Sequence, residues 1–196
     1  MDTNFLVFEQ FPDPHPYFLH ENAKAFMFDI GATVWQNDVE EFDSQNRFYY
    51  TYMLSGVEFS RWMLWESKNF TAKEIYTSVP KEILHSYQYF NMPASSAEND
   101  PSNPLNMMKK IAKKEDFVIL KLDIDNYKIE HQFVKQLLSN DLLQLCDEFF
   151  FEDHIHAGGL MSRWAESRHP NRTLKDTYDL LYKLRSKHLI RAHSWP

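Results

Sequence analysis

The run Phe117-Val118-Ile119-Leu120-Lys121-Leu122-Asp123-Ile124-Asp125 constrains the fold more than any other stretch of the chain. It is apolar without the alternation that a strand with one wet face would show. It therefore reads as a strand buried on both sides, which only a sheet covered by helices on each face accommodates. Its end turns acidic, and a charge is costly to desolvate, so Asp123 and Asp125 mark where the strand leaves the core.

Other segments repeat the pattern. Ala25 to Ile30 is a short apolar run stopped at Gly31-Ala32, and Phe59 to Trp65 is a second, closing on Glu66. Ser86 to Phe90 ends on Asn91-Met92-Pro93, Gln144 to Phe151 ends on Glu152-Asp153-His154, and Ile190 to Trp195 is a last short strand. Helical segments separate them. Ser44 to Leu54 carries Phe48, Tyr49 and Tyr52 on a helical period, with Gly56 as a C-cap. Thr71-Ala72-Lys73-Glu74 has capping-box spacing and opens a helix to Tyr76. Pro80 interrupts it, and Lys81 to Leu84 is expected to add one more turn. Residues 105–114, Tyr127 to Leu138, and Thr173 to Lys187 complete the set, the last with Tyr178, Leu181, Tyr182 and Leu184 as its apolar residues. Ala94 to Pro104 reads as a loop and a candidate mobile segment. Strands alternating with helices predict an α/β fold: a Rossmann-like, doubly wound, mainly parallel sheet flanked by helices in three α/β/α layers. Residues 1–22, with Pro12, Pro14 and Pro16 in alternation, predict an extended arm, and 23–196 the domain. The arm's Phe5, Phe8, Phe11 and Phe18 are expected to pack on the domain or to supply a dimer contact.

The 196 residues suit one such domain. A 43% hydrophobic share excludes a disordered chain. Against 21 Lys and Arg stand 28 Asp and Glu, a net charge of −7 that argues against a general nucleic-acid binder. Cys146 is the single cysteine, so no internal disulfide or cysteine-rich zinc site exists; inside an apolar strand it reads as a core residue. No run approaches the roughly 20 apolar residues of a membrane span. The first residues lack the pattern of a secretory signal, so a cytoplasmic location is the default expectation.

Four strands thus end at polar groups: Asp29 before Gly31, then Glu66, Asn91, and Asp123 with Asp125. In open α/β sheets ligands bind beyond the carboxyl ends of the strands, at the switch point. Glu66, ending the second strand, is spaced to accept hydrogen bonds from both hydroxyls of a ribose, or is an acid favoured at a helix start. Gly31 allows backbone to approach a ligand, or allows a tight turn. Ala32 and Thr33 do not continue a Gly-x-Gly-x-x-Gly pattern, so there is no dinucleotide fingerprint. Taken in order, Phe28-Asp29-Ile30-Gly31-Ala32, Leu64-Trp65-Glu66, Tyr89-Phe90-Asn91-Met92-Pro93, Leu120 to Asp125 and Asp147 to Glu152 resemble a class I S-adenosylmethionine-dependent methyltransferase of the FkbM-type branch. The resemblance implies that Asp29, Gly31 and Ala32 lie beside the methionine moiety of S-adenosylmethionine and that Glu66 holds its ribose. It implies Asn91 and Met92 near the adenine, and Asp123 at the methionine end facing the substrate. The glycine-rich loop keeps only Gly31, and the fourth strand reads Asp-Ile-Asp-Asn where the branch usually has Asp-Ile-Glu-Gly.

Asp123 and Asp125 share one face if the strand stays extended, as do Glu152, His154 and His156. Adjacent strands would bring both sets to one crevice. They could bind a divalent metal, supply a histidine base, or merely cap the sheet. His-x-His alone is weak as a metal signal, and no metal is assigned. Asp123, Asp125 and His154 are the candidates for handling an acceptor's proton. Arg163, Arg168, His169 and Arg172 form a basic patch that could meet an anionic substrate or balance the acidic surface. Arg191, His193 and Trp195 alternate and are expected to pack. The expected function is methyl transfer from S-adenosylmethionine to a small-molecule acceptor, an oxygen nucleophile. One alternative is a catalytically inactive scaffold on the same fold, favoured if Trp35 or Trp65 fills the pocket. The other is a metal-dependent hydrolase using Asp123, Asp125, His154 and His156.

Overall fold

A computed structural model describes residues 22–36, 45–154, 171–188 and 190–195. The expected arm over 1–22 and residues His156, Arg163, Arg168 and His169 lie, but for residue 22, outside that set. In chain order the elements are β1 (Ala25–Ile30), α1 (Gln45–Leu54), β2 (Phe59–Trp65), α2 (Ala72–Tyr76), β3 (Tyr87–Phe90), α3 (Pro104–Ile111), β4 (Phe117–Leu122), α4 (Tyr127–Leu137), α5 (Asn140–Leu143), β5 (Glu148–Phe151), α6 (Leu174–His188) and β6 (Arg191–Ser194).

The strands form one six-stranded sheet in the order β3-β2-β1-β4-β5-β6, and every pairing is parallel. The chain runs outward from β1 to β3, then returns to place β4 on the other side of β1. The switch point is therefore between β1 and β4, with Ile30 level with Trp65 and Leu122. The fold is the doubly wound, three-layer α/β/α arrangement. Phe26, Phe28, Ile30, Val118, Leu120, Leu122, Phe149 and Phe151 point into one layer, against Leu105, Phe133, Leu137 and Leu184. Met27, Ile119, Leu64, Trp62 and Phe150 point into the other, against Phe48, Tyr52, Trp35 and Ile75. Successive strand residues face opposite layers, so an apolar run without alternation is what both layers require.

Local chemistry sets the boundaries. Thr71 accepts from the Glu74 amide while the Glu74 side chain accepts from the Thr71 amide, a complete capping box at α2. Gly56, at φ 79°, ends α1, with its amide on the Met53 carbonyl and the Val57 amide on that of Tyr52. The expected strand from Gln144 starts only at Glu148. Residues 144–147 instead form a turn after α5, and Asp147 hooks β5 to β4 through both its amide and its carboxylate. Cys146 accordingly lies in the turn before β5, 4% exposed, and burial pushes its thiol well up. Lys81 to Leu84 is a turn, not a helical one. Loop 94–104, expected to be mobile, is fastened: Asn103 donates to Ala97 and Gln136, and Gln136 donates to the Ser96 carbonyl. On α6, Leu181 and Leu184 are buried, whereas Tyr178 and Tyr182 face outward. Arg191 and His193 pack as expected, on the buried Glu148 carboxylate at 2.8 and 3.7 Å, and the Tyr52 hydroxyl donates to the same group. Among the described residues no helix is long and apolar enough to cross a membrane.

Candidate functional site

The site is assembled at the carboxyl ends of β1, β2, β4 and β5. Gly31 follows β1 with φ 96°. Its amide and that of Ala32 both donate to the Trp65 carbonyl, at 3.0 and 2.9 Å, and the Asp123 amide donates to Ile30 at 2.9 Å. A Cβ on Gly31 would lie 1.5 Å from the Asp123 carbonyl oxygen. Of the two uses foreseen for Gly31, a tight turn is the one built here. The glycine lets two strand ends close on each other, and its amide is committed to β2.

Asp29 is not at a strand end but inside β1, 3% exposed. Its carboxylate lies 3.4 Å from Nζ of Lys121 on the neighbouring β4, and the same ammonium lies 3.1 Å from Asp123. Lys121 is 2% exposed and faces the Trp195 ring at 5.4 Å. A buried ammonium is stable only when paired, and here two carboxylates and an aromatic face surround it. The sequence carried a signal for Lys121, a lone cation within an apolar strand, that reading for ligand contacts alone passed over.

β4 ends at Leu122, so Asp123 and Asp125 do not share an extended face. Asp125 instead adopts a left-handed φ of 56°, and the Ile124 amide donates to Oε1 of Glu130 at 3.0 Å. The turn nevertheless directs both aspartates toward the exit of β5. There Glu152 and His154 complete a set of four, with one ligand atom of each lying within 4.8 Å of all the others. His154 is buried. Its Nε2 lies 3.1 Å from Asp125 and 3.7 Å from Glu152, and its Nδ1 lies 3.4 Å from Oε2 of the fully buried Glu130. Burial and the adjoining Asp123, with Asp125 beyond, push the Glu152 carboxyl up to about 10, Lys121 opposing. The shift favours the protonated form of Glu152, the form that can donate to Asp123. Asp123 itself stays ionised: burial opposes its charge, but Lys121, the bond from Glu152 and His154 outweigh it and lower its pKa. For His154 burial disfavours the cation, and Glu130, Asp125 and Asp123 overcome it, raising the pKa above the ordinary value.

Glu66 follows β2, mostly buried, its amide on the Phe90 carbonyl. Its Oε1 accepts from the Lys68 amide at 2.6 Å and from Ser67, while Oε2 accepts no hydrogen bond from the described residues. Asn91, beyond β3, spends its side chain on the 69–70 turn: it accepts from the Phe70 amide and donates to Phe70 and Asn69. Met92 is 46% exposed. Trp65 stacks between Phe28 and Phe90, and Trp35 packs on Tyr49, Trp62 and Tyr87, so both rings belong to the core layers.

Behind the cluster, Asp153 ties β5 to α6. It accepts from Arg172 and Thr177 and lies 3.5 Å from His131; burial opposes its charge, and these partners bring it down to about 2. Arg172, foreseen as part of a basic patch, is therefore structural. Asp153→Asn is expected to cost about 2 kcal/mol in urea unfolding at neutral pH. A depressed carboxylate stabilises fully above its ordinary value of 3.8 and ceases to do so as pH falls toward 2. The variant's deficit should therefore shrink over that window.

Fold and site together define a doubly wound α/β protein whose switch point carries a buried lysine and a carboxylate–histidine cluster. No protein-family model, curated protein or solved structure matches the chain.

Proposed function

We propose that the chain transfers a methyl group from S-adenosylmethionine to an oxygen nucleophile on a small acceptor. The observation that carries this reading is the alignment of Gly31, Glu66 and Asp123 at the ends of three neighbouring strands, β1, β2 and β4, at the switch point. Ligands of doubly wound sheets bind in that crevice. Glu66 supports it further: one oxygen is fixed by backbone, and the other accepts no hydrogen bond from the described residues, which leaves it an acceptor for a ribose hydroxyl. The cofactor supplies an electrophilic methyl on a sulfonium centre. An in-line displacement then asks the protein mainly to align the acceptor and exclude water, with no nucleophile of its own. Asp123, ionised beside Lys121, complements the sulfonium charge. Asp125, the member of the cluster open to solvent at 59% exposed, takes the acceptor's proton in this reading, and His154 at 3.1 Å holds its carboxylate in position.

Thermal unfolding with and without S-adenosylmethionine tests the reading, in buffer containing chelator. At about 100 times its dissociation constant the ligand stabilises by roughly 2.7 kcal/mol. For a chain of this size that raises Tm by about 5–10 °C. Glu66→Gln is expected to abolish the shift. No shift at millimolar ligand, or an equal shift in Glu66→Gln, overturns the proposal.

A further inference from the structure

We propose that Asp123, Asp125, Glu152 and His154 form a site for one divalent cation of the Mn2+ type. The site shares Asp123, Asp125 and His154 with the methyl-transfer reading, but it rests on its own geometry and is tested without the cofactor.

Four observations lead to it. The first is spacing. Donor atoms bound to one ion at about 2.0–2.6 Å stand about 3–5 Å from one another. One donor from each of the four residues already lies within 4.8 Å of the rest. The second is donor chemistry: three carboxylates with one imidazole suit a first-row divalent ion and leave positions for water or another oxygen ligand.

The third lies outside the four donors. Glu130, contributed by α4, is fully buried, and its Oε1 is committed to the Ile124 amide. Its Oε2 sits 3.4 Å from Nδ1 of His154, and both atoms are buried without a hydrogen bond of ordinary geometry. This directs Nε2, on a side chain only 4% exposed, into the carboxylates. A carboxylate on the far nitrogen is how ligating histidines are oriented. The fourth is charge. Among the described residues, Asp29, Asp123, Asp125, Glu130 and Glu152 gather around one ammonium, Lys121, and one imidazole, His154. A divalent ion at this point would add positive charge among these carboxylates. Asp125 leaves the site open to solvent.

The test is titration of Mn2+ into the chelator-stripped full chain with no cofactor present. Binding is followed by loss of the free-ion electron paramagnetic resonance signal. One ion per chain is expected. Asp125→Asn, at an exposed position, and Glu152→Gln should each weaken binding about tenfold or more, with circular dichroism unchanged for the first. Glu130→Gln, a positioning change, should weaken binding and alter the hyperfine signature of the imidazole nitrogen. The absence of saturable binding would overturn the site, as would saturable binding that neither Asp125→Asn nor Glu152→Gln weakens. A failed cofactor titration leaves this outcome untouched, and the converse holds.

Discussion

Gly31→Ala should yield no soluble folded protein, whereas Gly56→Ala should fold with a modest loss. Both glycines sit at positive φ, 96° and 79°. An alanine there costs about 1–2 kcal/mol on backbone grounds alone. The difference is space. Nothing lies within 4 Å of a Cβ at Gly56, while one at Gly31 would overlap the Asp123 carbonyl at 1.5 Å. That neighbour is backbone, so no side chain can swing away. Relief requires the ends of β1 and β4 to part, breaking the bond between the Asp123 amide and Ile30. The expected penalty is about 4 kcal/mol or more, a large share of the stability of a domain this size. Yield and urea midpoint of the two variants give the comparison. A Gly31→Ala protein as stable as Gly56→Ala would show that the strand ends are not closed as described.

Lys121→Met should be the most damaging change among the charged residues. Methionine fills nearly the same volume beside Trp195, so packing is largely kept and charge is what is lost. Asp29 and Asp123 then lose the ammonium at 3.4 and 3.1 Å. Breaking a buried ion pair from one side costs about 3–5 kcal/mol, a Tm drop of roughly 10 °C here. The companion variant is decisive. Lys121→Met with Asp29→Asn removes a charge from each side and should recover about half of the loss or more. If the double variant is as unstable as the sum of the singles, Lys121 acts through packing and not through its pair.

The sheet was legible because burial on both faces leaves little freedom in residue choice. Phe117 to Leu122 and Ala25 to Ile30 had to be strands, and the capping box at Thr71 had to start a helix. The acidic strand ends also pointed to the side of the sheet where Asp123, Asp125, Glu152 and His154 gather. What stayed hidden depends on neighbours distant in sequence. Asp29 looks like a strand-end acid until β4 brings Lys121 beside it. Glu130 looks like any first-turn acid of an amphipathic helix, and only the turn at Ile124 to Asp125 folds it under His154. In Gln144 to Phe151 an apolar run does not tell a turn from a strand, and the hook at Asp147 decides where β5 begins.

The position of β1 in the sheet bears on how the chain is made. Its partners are β2, which follows soon after, and β4, some 90 residues further on, with Ala25 level with Phe117. On a ribosome emitting about 5–20 residues per second, one edge of this apolar strand waits several seconds for its neighbour. Closing so long a loop is slow, and an unpaired apolar edge invites other chains in the meantime. Until Lys121 arrives, Asp29 leaves an unpaired charge in that strand, and a charge within an apolar strand disfavours such mispairing. The same carboxylate that a finished sheet must neutralise thus protects the unfinished one.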